Sequence, residues 1–150
     1  MKIPSGLFAL ISLASVAIAQ TPMPDKAPAM KMQNSAVFDA ADLKAEERPN
    51  GQRRAVFDNP TASLNRFECH VTTLGVGQNS GPAHAHPAVE EATFVKEGMV
   101  EISINNDPKR TVGPGSVIYF ASKDLVALRN VGSTPATYVV FSIRVAPAAN

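Results

Sequence analysis

Short apolar runs broken by turn residues set the pattern of this chain from Ser35 onward. Ala36-Val37-Phe38 and Ala55-Val56-Phe57 predict short strands. Phe67 to Leu74 (FECHVTTL) is dense in aromatic and β-branched side chains, which suit a pleated, half-buried surface. Gly75 to Pro82 reads as a loop. Ala92 to Val95 and Val100 to Ile104 flank Glu97-Gly98, which predicts a hairpin. Asn105-Asn106-Asp107-Pro108 makes the next turn. Val112 to Phe120 carries Pro114-Gly115 and then an apolar strand. Leu125 to Val131 and Thr137 to Val145 follow, separated by Gly132-Ser133-Thr134-Pro135. Many short strands with turns between them predict an all-β sandwich or barrel. One stretch, Ala40 to Glu47 (AADLKAEE), has a short helical pattern.

The first residues stand apart. Met1-Lys2 is a short basic start, and Leu7 to Ala19 is apolar but shorter than the roughly 20 residues a membrane-spanning helix needs. The run ends in Ala17-Ile18-Ala19. Residues 1–19 therefore read as a secretory signal peptide, which places the mature protein in the periplasm or outside the cell with no stable membrane anchor. Residues 20–34 (QTPMPDKAPAMKMQN) hold three prolines and almost no large aliphatics, and read as a disordered linker. One domain over residues 35–145 and a flexible tail over 146–150 complete the organisation.

Charge excludes some partners. The whole chain has 14 basic and 13 acidic side chains, and loss of Lys2 with the signal leaves 13 of each. No block of like charge occurs, so neither nucleic acid nor an anionic membrane is an expected partner. Cys69 is the only cysteine, so no internal disulfide can form and packing alone must hold the fold. It reads as a buried apolar thiol.

Chemistry concentrates in GPAHAHPAVEEATFVKEG, residues 81 to 98. On a strand, alternation would place His84 and His86 on one face, where both rings can converge on an ion. Imidazole suits Zn, Cu, Fe and Ni, and a carboxylate from Glu90 or Glu91 adds a charged oxygen donor. Pro82 and Pro87 bracket the pair. No nucleophile elbow, phosphate loop or paired-cysteine motif competes with this cluster.

The segment resembles the first motif of the cupin family: His84-x-His86, four residues, Glu91, six residues, Gly98. The spacing to Gly98 selects Glu91 over Glu90 as the matching carboxylate. The leading glycine, Gly77, lies one residue further from His84 than the family pattern has it. The second cupin motif fits at its ends, with Gly115 opening and Asn130 closing the frame. Inside it, Ala121 stands at the proline position, Lys123 at the glycine position and Val126 at the histidine position. The resemblance covers residues 35 to 145 and implies a single antiparallel jelly-roll β-barrel with a divalent metal (Fe, Mn, Zn or Ni) in its wider end. It implies His84, His86 and Glu91 as metal ligands with one of the usual four lost at Val126. It also implies a small-molecule partner and homodimers.

Three functions follow: a metal-dependent enzyme acting on a small molecule, a non-catalytic binding barrel whose metal site has decayed, and a structural protein with residual histidines. Three protein ligands suffice for catalytic zinc, and two His with one carboxylate is the ligand set of non-haem Fe(II) oxygenases. His70, Asp124 and Tyr119 are candidates to fill the place left by Val126.

Overall fold

The computed structural model describes residues 31–144. The signal peptide expected over residues 1–19, most of the linker expected over 20–34 and the tail expected over 146–150 lie outside the described residues. Among the described residues nine strands run in chain order: β1 Glu46–Arg48, β2 Gly51–Asn59, β3 Arg66–Leu74, β4 Glu90–Glu97, β5 Val100–Ile104, β6 Arg110–Val112, β7 Val117–Phe120, β8 Val126–Asn130 and β9 Ala136–Arg144. They form a six-stranded sheet in the order β1-β2-β3-β9-β4-β7 and a three-stranded sheet in the order β6-β5-β8. All paired strands are antiparallel, and the described residues contain no helix. The expected all-β jelly-roll barrel is the fold observed.

Alternation decides what lies between the sheets. β4 turns Glu91, Thr93 and Val95 inward, and β8 turns Val126, Leu128 and Asn130 inward. The core joins Leu74, Val95, Val100, Ile102, Ile118, Phe120, Leu128, Tyr138 and Val140 from both sheets. Burying such side chains contributes roughly 1.5–3 kcal/mol each. The outer face of the larger sheet carries an aromatic row in which Phe38, Phe57, Phe67 and Phe141 stack in sequence at centroid distances of 5.5, 5.0 and 6.1 Å.

Four expectations fail, each for a local reason. Ala36-Val37-Phe38 is not a strand. Phe38 instead lays its ring on Phe57, and the backbone finds no ladder to join. Ala40 to Glu47 is not a helix: the Asp39 carboxylate accepts from the Ala41 amide at 2.9 Å and closes a turn, and Glu46-Glu47 go into β1. A helix this short forms only a few hydrogen bonds against the cost of nucleation, so pairing with β2 wins. Glu97-Gly98 is not a two-stranded hairpin: β4 belongs to one sheet and β5 to the other. Gly98 carries the chain across at φ 80°, and a Cβ there would meet the Ala136 Cα at 2.6 Å. Finally, His84 and His86 do not sit on a regular strand. Pro82 and Pro87 lack amide donors, so the ladder shrinks to a single bridge between His84 and Val126.

Candidate metal and small-molecule cavity

The histidine loop is pinned along the segment that precedes and opens β8. His84 N donates to Val126 O at 3.1 Å, and Val126 N donates to His84 O at 2.9 Å. Further along, Lys123 N donates to His86 O at 3.1 Å, and Ser122 Oγ accepts from the Ala88 amide at 2.9 Å. Mutual hydrogen bonding makes His84 and Val126 a directly opposed pair with side chains on one face. Lys123 adopts φ 73°, a left-handed conformation, at the position where the second motif has glycine. That conformation costs an L-residue roughly 1–2 kcal/mol, so the backbone here keeps a turn that suits glycine although the residue is lysine.

Beneath this loop the barrel forms an open-mouthed cavity of about 270 Å³. His84, His86, Glu91 and Val126 all line it, together with His70, Arg53, Thr72 and Tyr138. The His84 and His86 rings meet edge to face at 4.6 Å. His86 Nε2 stands 3.4 Å from Glu91 Oε2. Glu91 Oε1 accepts the Ser142 hydroxyl at 2.7 Å. Glu90 goes elsewhere: its Oε2 accepts the Tyr119 hydroxyl at 2.6 Å on the exposed outer face, and that hydrogen bond raises the Tyr119 pKa. Tyr119 and Asp124 are absent from the cavity lining, so of the three candidates to replace a lost ligand only His70 reaches it.

Donor chemistry fits a divalent ion. His84 Nδ1 lies 2.8 Å from the Pro82 carbonyl oxygen. A carbonyl only accepts, so Nδ1 carries the proton and Nε2 keeps its lone pair. Metal-binding histidines are commonly oriented in this way. Glu91 is held by Ser142 through one oxygen, which leaves the other, Oε2, as a donor. As the side chains stand, no group of three or more His, Cys, Asp or Glu among the described residues is gathered tightly enough to cage an ion. Val126, at the position where the second cupin motif has histidine, lines the same cavity as a buried isopropyl group.

A second polar group lies at the cavity wall, and the sequence did not single it out as a unit. Glu68, 4% exposed, takes Arg53 Nη2 at 2.5 Å and His70 Nδ1 at 2.7 Å, both on Oε1. Burial pushes the Glu68 carboxyl up, but the hydrogen bond from His70 and the charge of Arg53 outweigh it and hold the pKa below the ordinary value. Only the parity of Glu68 with His70 signalled this pair in the sequence; its link to Arg53 needs the β2–β3 register. Cys69 faces the opposite way, buried, with its thiol pushed up to about 11.

The Asn130 that closes the second motif has a structural task. Fully buried, it donates through Nδ2 to the carbonyls of Leu74, Gly75 and Thr134 and accepts from the Gly132 amide through Oδ1. It ties the end of β3 to the loop between β8 and β9.

Comparison with known proteins agrees with this fold. Residues 70–142 match the family model described as the cupin domain. The cupin domain of Cnp3 from Schizosaccharomyces pombe superposes with a TM-score of 0.61 at 11% identity, covering 72% of this chain and 73% of that one. KdgF from Halomonas sp. gives 0.60 at 18% identity, covering 73% and 95%. A protein described as a predicted oxalate decarboxylase from Thermotoga maritima gives 0.58 at 17% identity, covering 73% and 100%. No curated protein sequence matches the chain.

Proposed function

Because residues 70–142 of this chain match the cupin-domain family model, we propose that its barrel holds a divalent metal on His84, His86 and Glu91 and binds a small polar molecule in the remaining space of the cavity. One observation carries this reading: the three donors line a single cavity, with the His84 Nε2 lone pair left free by the Pro82 carbonyl and the Glu91 carboxylate held by Ser142. A divalent ion bound there would act as a Lewis acid toward a ligand oxygen. The protein's own part is to orient the donors, to keep Tyr138, Thr72 and Arg53 around the ligand, and to limit water through the apolar wall of Phe120, Val126 and Leu128.

Ligand count supports an open coordination sphere. Three protein donors leave positions for exogenous ligands, as in catalytic zinc sites. Val126 favours a second reading. It stands, buried, where the second cupin motif has a histidine, and a barrel that binds small molecules without turnover would tolerate that change. Isothermal titration of the chelator-stripped chain with Ni(II) and Zn(II) separates the two. Stoichiometric binding that His86→Ala removes supports the metal reading. Absence of binding in the intact chain would leave only the metal-free barrel. The basic start and Ala17-Ile18-Ala19 end of the leader support the further proposal that this site works in the periplasm or outside the cell.

A further inference from the structure

His70 and Arg53 line the same cavity as the candidate metal donors, with buried Glu68 bound to both, yet none of the three is needed as a ligand. β3 alternation puts Glu68, His70 and Thr72 on one face; His70 and Thr72 line the cavity, and Glu68 lies buried beside His70. Glu68 is buried and accepts from both neighbours through the same oxygen. An ionised carboxylate is an acceptor only, so the proton of the neutral His70 ring must sit on Nδ1. Its lone pair is then on Nε2, which makes no hydrogen bond to a described residue. Arg53 has five N–H donors, and its recorded hydrogen bond to Glu68 engages Nη2 alone. The remaining donors border the same space.

We propose that His70 is an acid–base group of this cavity, fixed as a proton acceptor by Glu68, and that Arg53 seats the carboxylate of a small molecule beside it. A small carboxylic acid docked on the guanidinium brings a neighbouring C–H or O–H toward Nε2. The ring takes that proton and becomes imidazolium, with Glu68 against its other nitrogen. Fixing the tautomer through a buried carboxylate is an established way to make imidazole a directed base. This site works with or without a metal on His84, His86 and Glu91, so its test is independent of the metal titration.

Bromoacetate is the probe, because it carries a carboxylate for Arg53 and an alkylating carbon for an unprotonated nitrogen. The Nε2 lone pair forms the new N–C bond, bromide leaves with the C–Br electron pair, and the Nδ1 proton stays against Glu68. With chelator-stripped protein and peptide mass spectrometry, the label falls on His70 at least tenfold faster than on N-acetylhistidine. Acetate competes with that labelling in the unmodified chain. Arg53→Gln slows bromoacetate severalfold and leaves the uncharged bromoacetamide unchanged, while Glu68→Gln slows both reagents. A label confined to His84 or His86, or a His70 rate equal to that of N-acetylhistidine, overturns the assignment of the base. Rapid labelling that acetate does not slow, or an equal effect of Arg53→Gln on the two reagents, overturns the carboxylate seat. The acetate competition needs no variant, so it decides that point even if Arg53→Gln fails to fold.

Discussion

Replacing Val126 by histidine asks whether this barrel lacks one metal ligand at a position still built to hold it. Val126 is 4% exposed and stands directly opposite His84 in a mutually hydrogen-bonded pair, so a new imidazole at 126 emerges on the same face as the His84 ring. Without metal the substitution exchanges a well-packed isopropyl group for a larger polar ring, at a cost of roughly 1–3 kcal/mol. With metal the sign reverses. A fourth nitrogen that tightens Ni(II) binding tenfold adds about 1.4 kcal/mol to the binding free energy. At fixed metal concentration, moving from 100 to 1,000 times the dissociation constant raises the ligand-linked stabilisation from about 2.7 to about 4.1 kcal/mol. In a domain of this size that difference corresponds to roughly 5 °C of additional metal-induced rise in Tm. Calorimetric titration gives the affinity, and thermal melts with Ni(II) and with chelator give the shift. The refuting result is a Val126→His protein that folds, as shown by its near-ultraviolet circular dichroism, but binds Ni(II) no more tightly than the parent chain. Residue 126 would then not address the ion, and the lost-ligand account of this site would be wrong.

Further outcomes follow from the cavity wall, the thiol and the leader. Glu68→Gln loses about 2 kcal/mol near neutral pH, because hydrogen bonds to a buried charge are among the stronger ones. The Glu68 carboxyl is held below its ordinary value of 4.5, so its stabilising contribution is complete above that value and lost as pH falls through the lower folded-state pKa. Urea midpoints measured from pH 7 to pH 2 therefore fall more steeply below about pH 4.5 in the parent than in Glu68→Gln, and parallel curves would contradict this. Cys69 does not react with a thiol reagent at pH 8 in the native state, since burial pushes its pKa to about 11; rapid native-state reaction would show that the strand is not closed. N-terminal sequencing of the exported protein starts at or near Gln20, and retention of Met1 in a membrane fraction contradicts the leader assignment.

The fold was legible where side-chain alternation was strong. FECHVTTL and the run ending in Phe120 show the period of two that a sheet facing a core requires, and both became strands. It was not legible where partnering decides. Ala36-Val37-Phe38 is as apolar as a strand but has no neighbour to pair with, and Glu46-Glu47 is polar enough for a helix but has β2 beside it. Glu97-Gly98 signals a tight turn correctly; local sequence cannot say that the chain changes sheets there. At the site, the six-residue spacing from Glu91 to Gly98 carried the choice between two adjacent carboxylates, because one-residue register reverses the face. The Arg53–Glu68 contact escaped the sequence because it spans two strands. Only their register brings position 53, opposite Thr72, within reach of residue 68.

The claim that His84, His86 and Glu91 share one divalent ion is tested most directly by native mass spectrometry of Ni(II)-loaded chain after removal of free metal, with Glu91→Gln and Glu90→Gln compared side by side. Glu91 faces the cavity and its Oε2 lies 3.4 Å from His86 Nε2, whereas Glu90 is engaged by Tyr119 on the outer surface. The account predicts a stoichiometric ion in the parent and in Glu90→Gln and at least a tenfold weaker retention in Glu91→Gln. Equal retention in the two variants, or no retained ion in the parent, would contradict it.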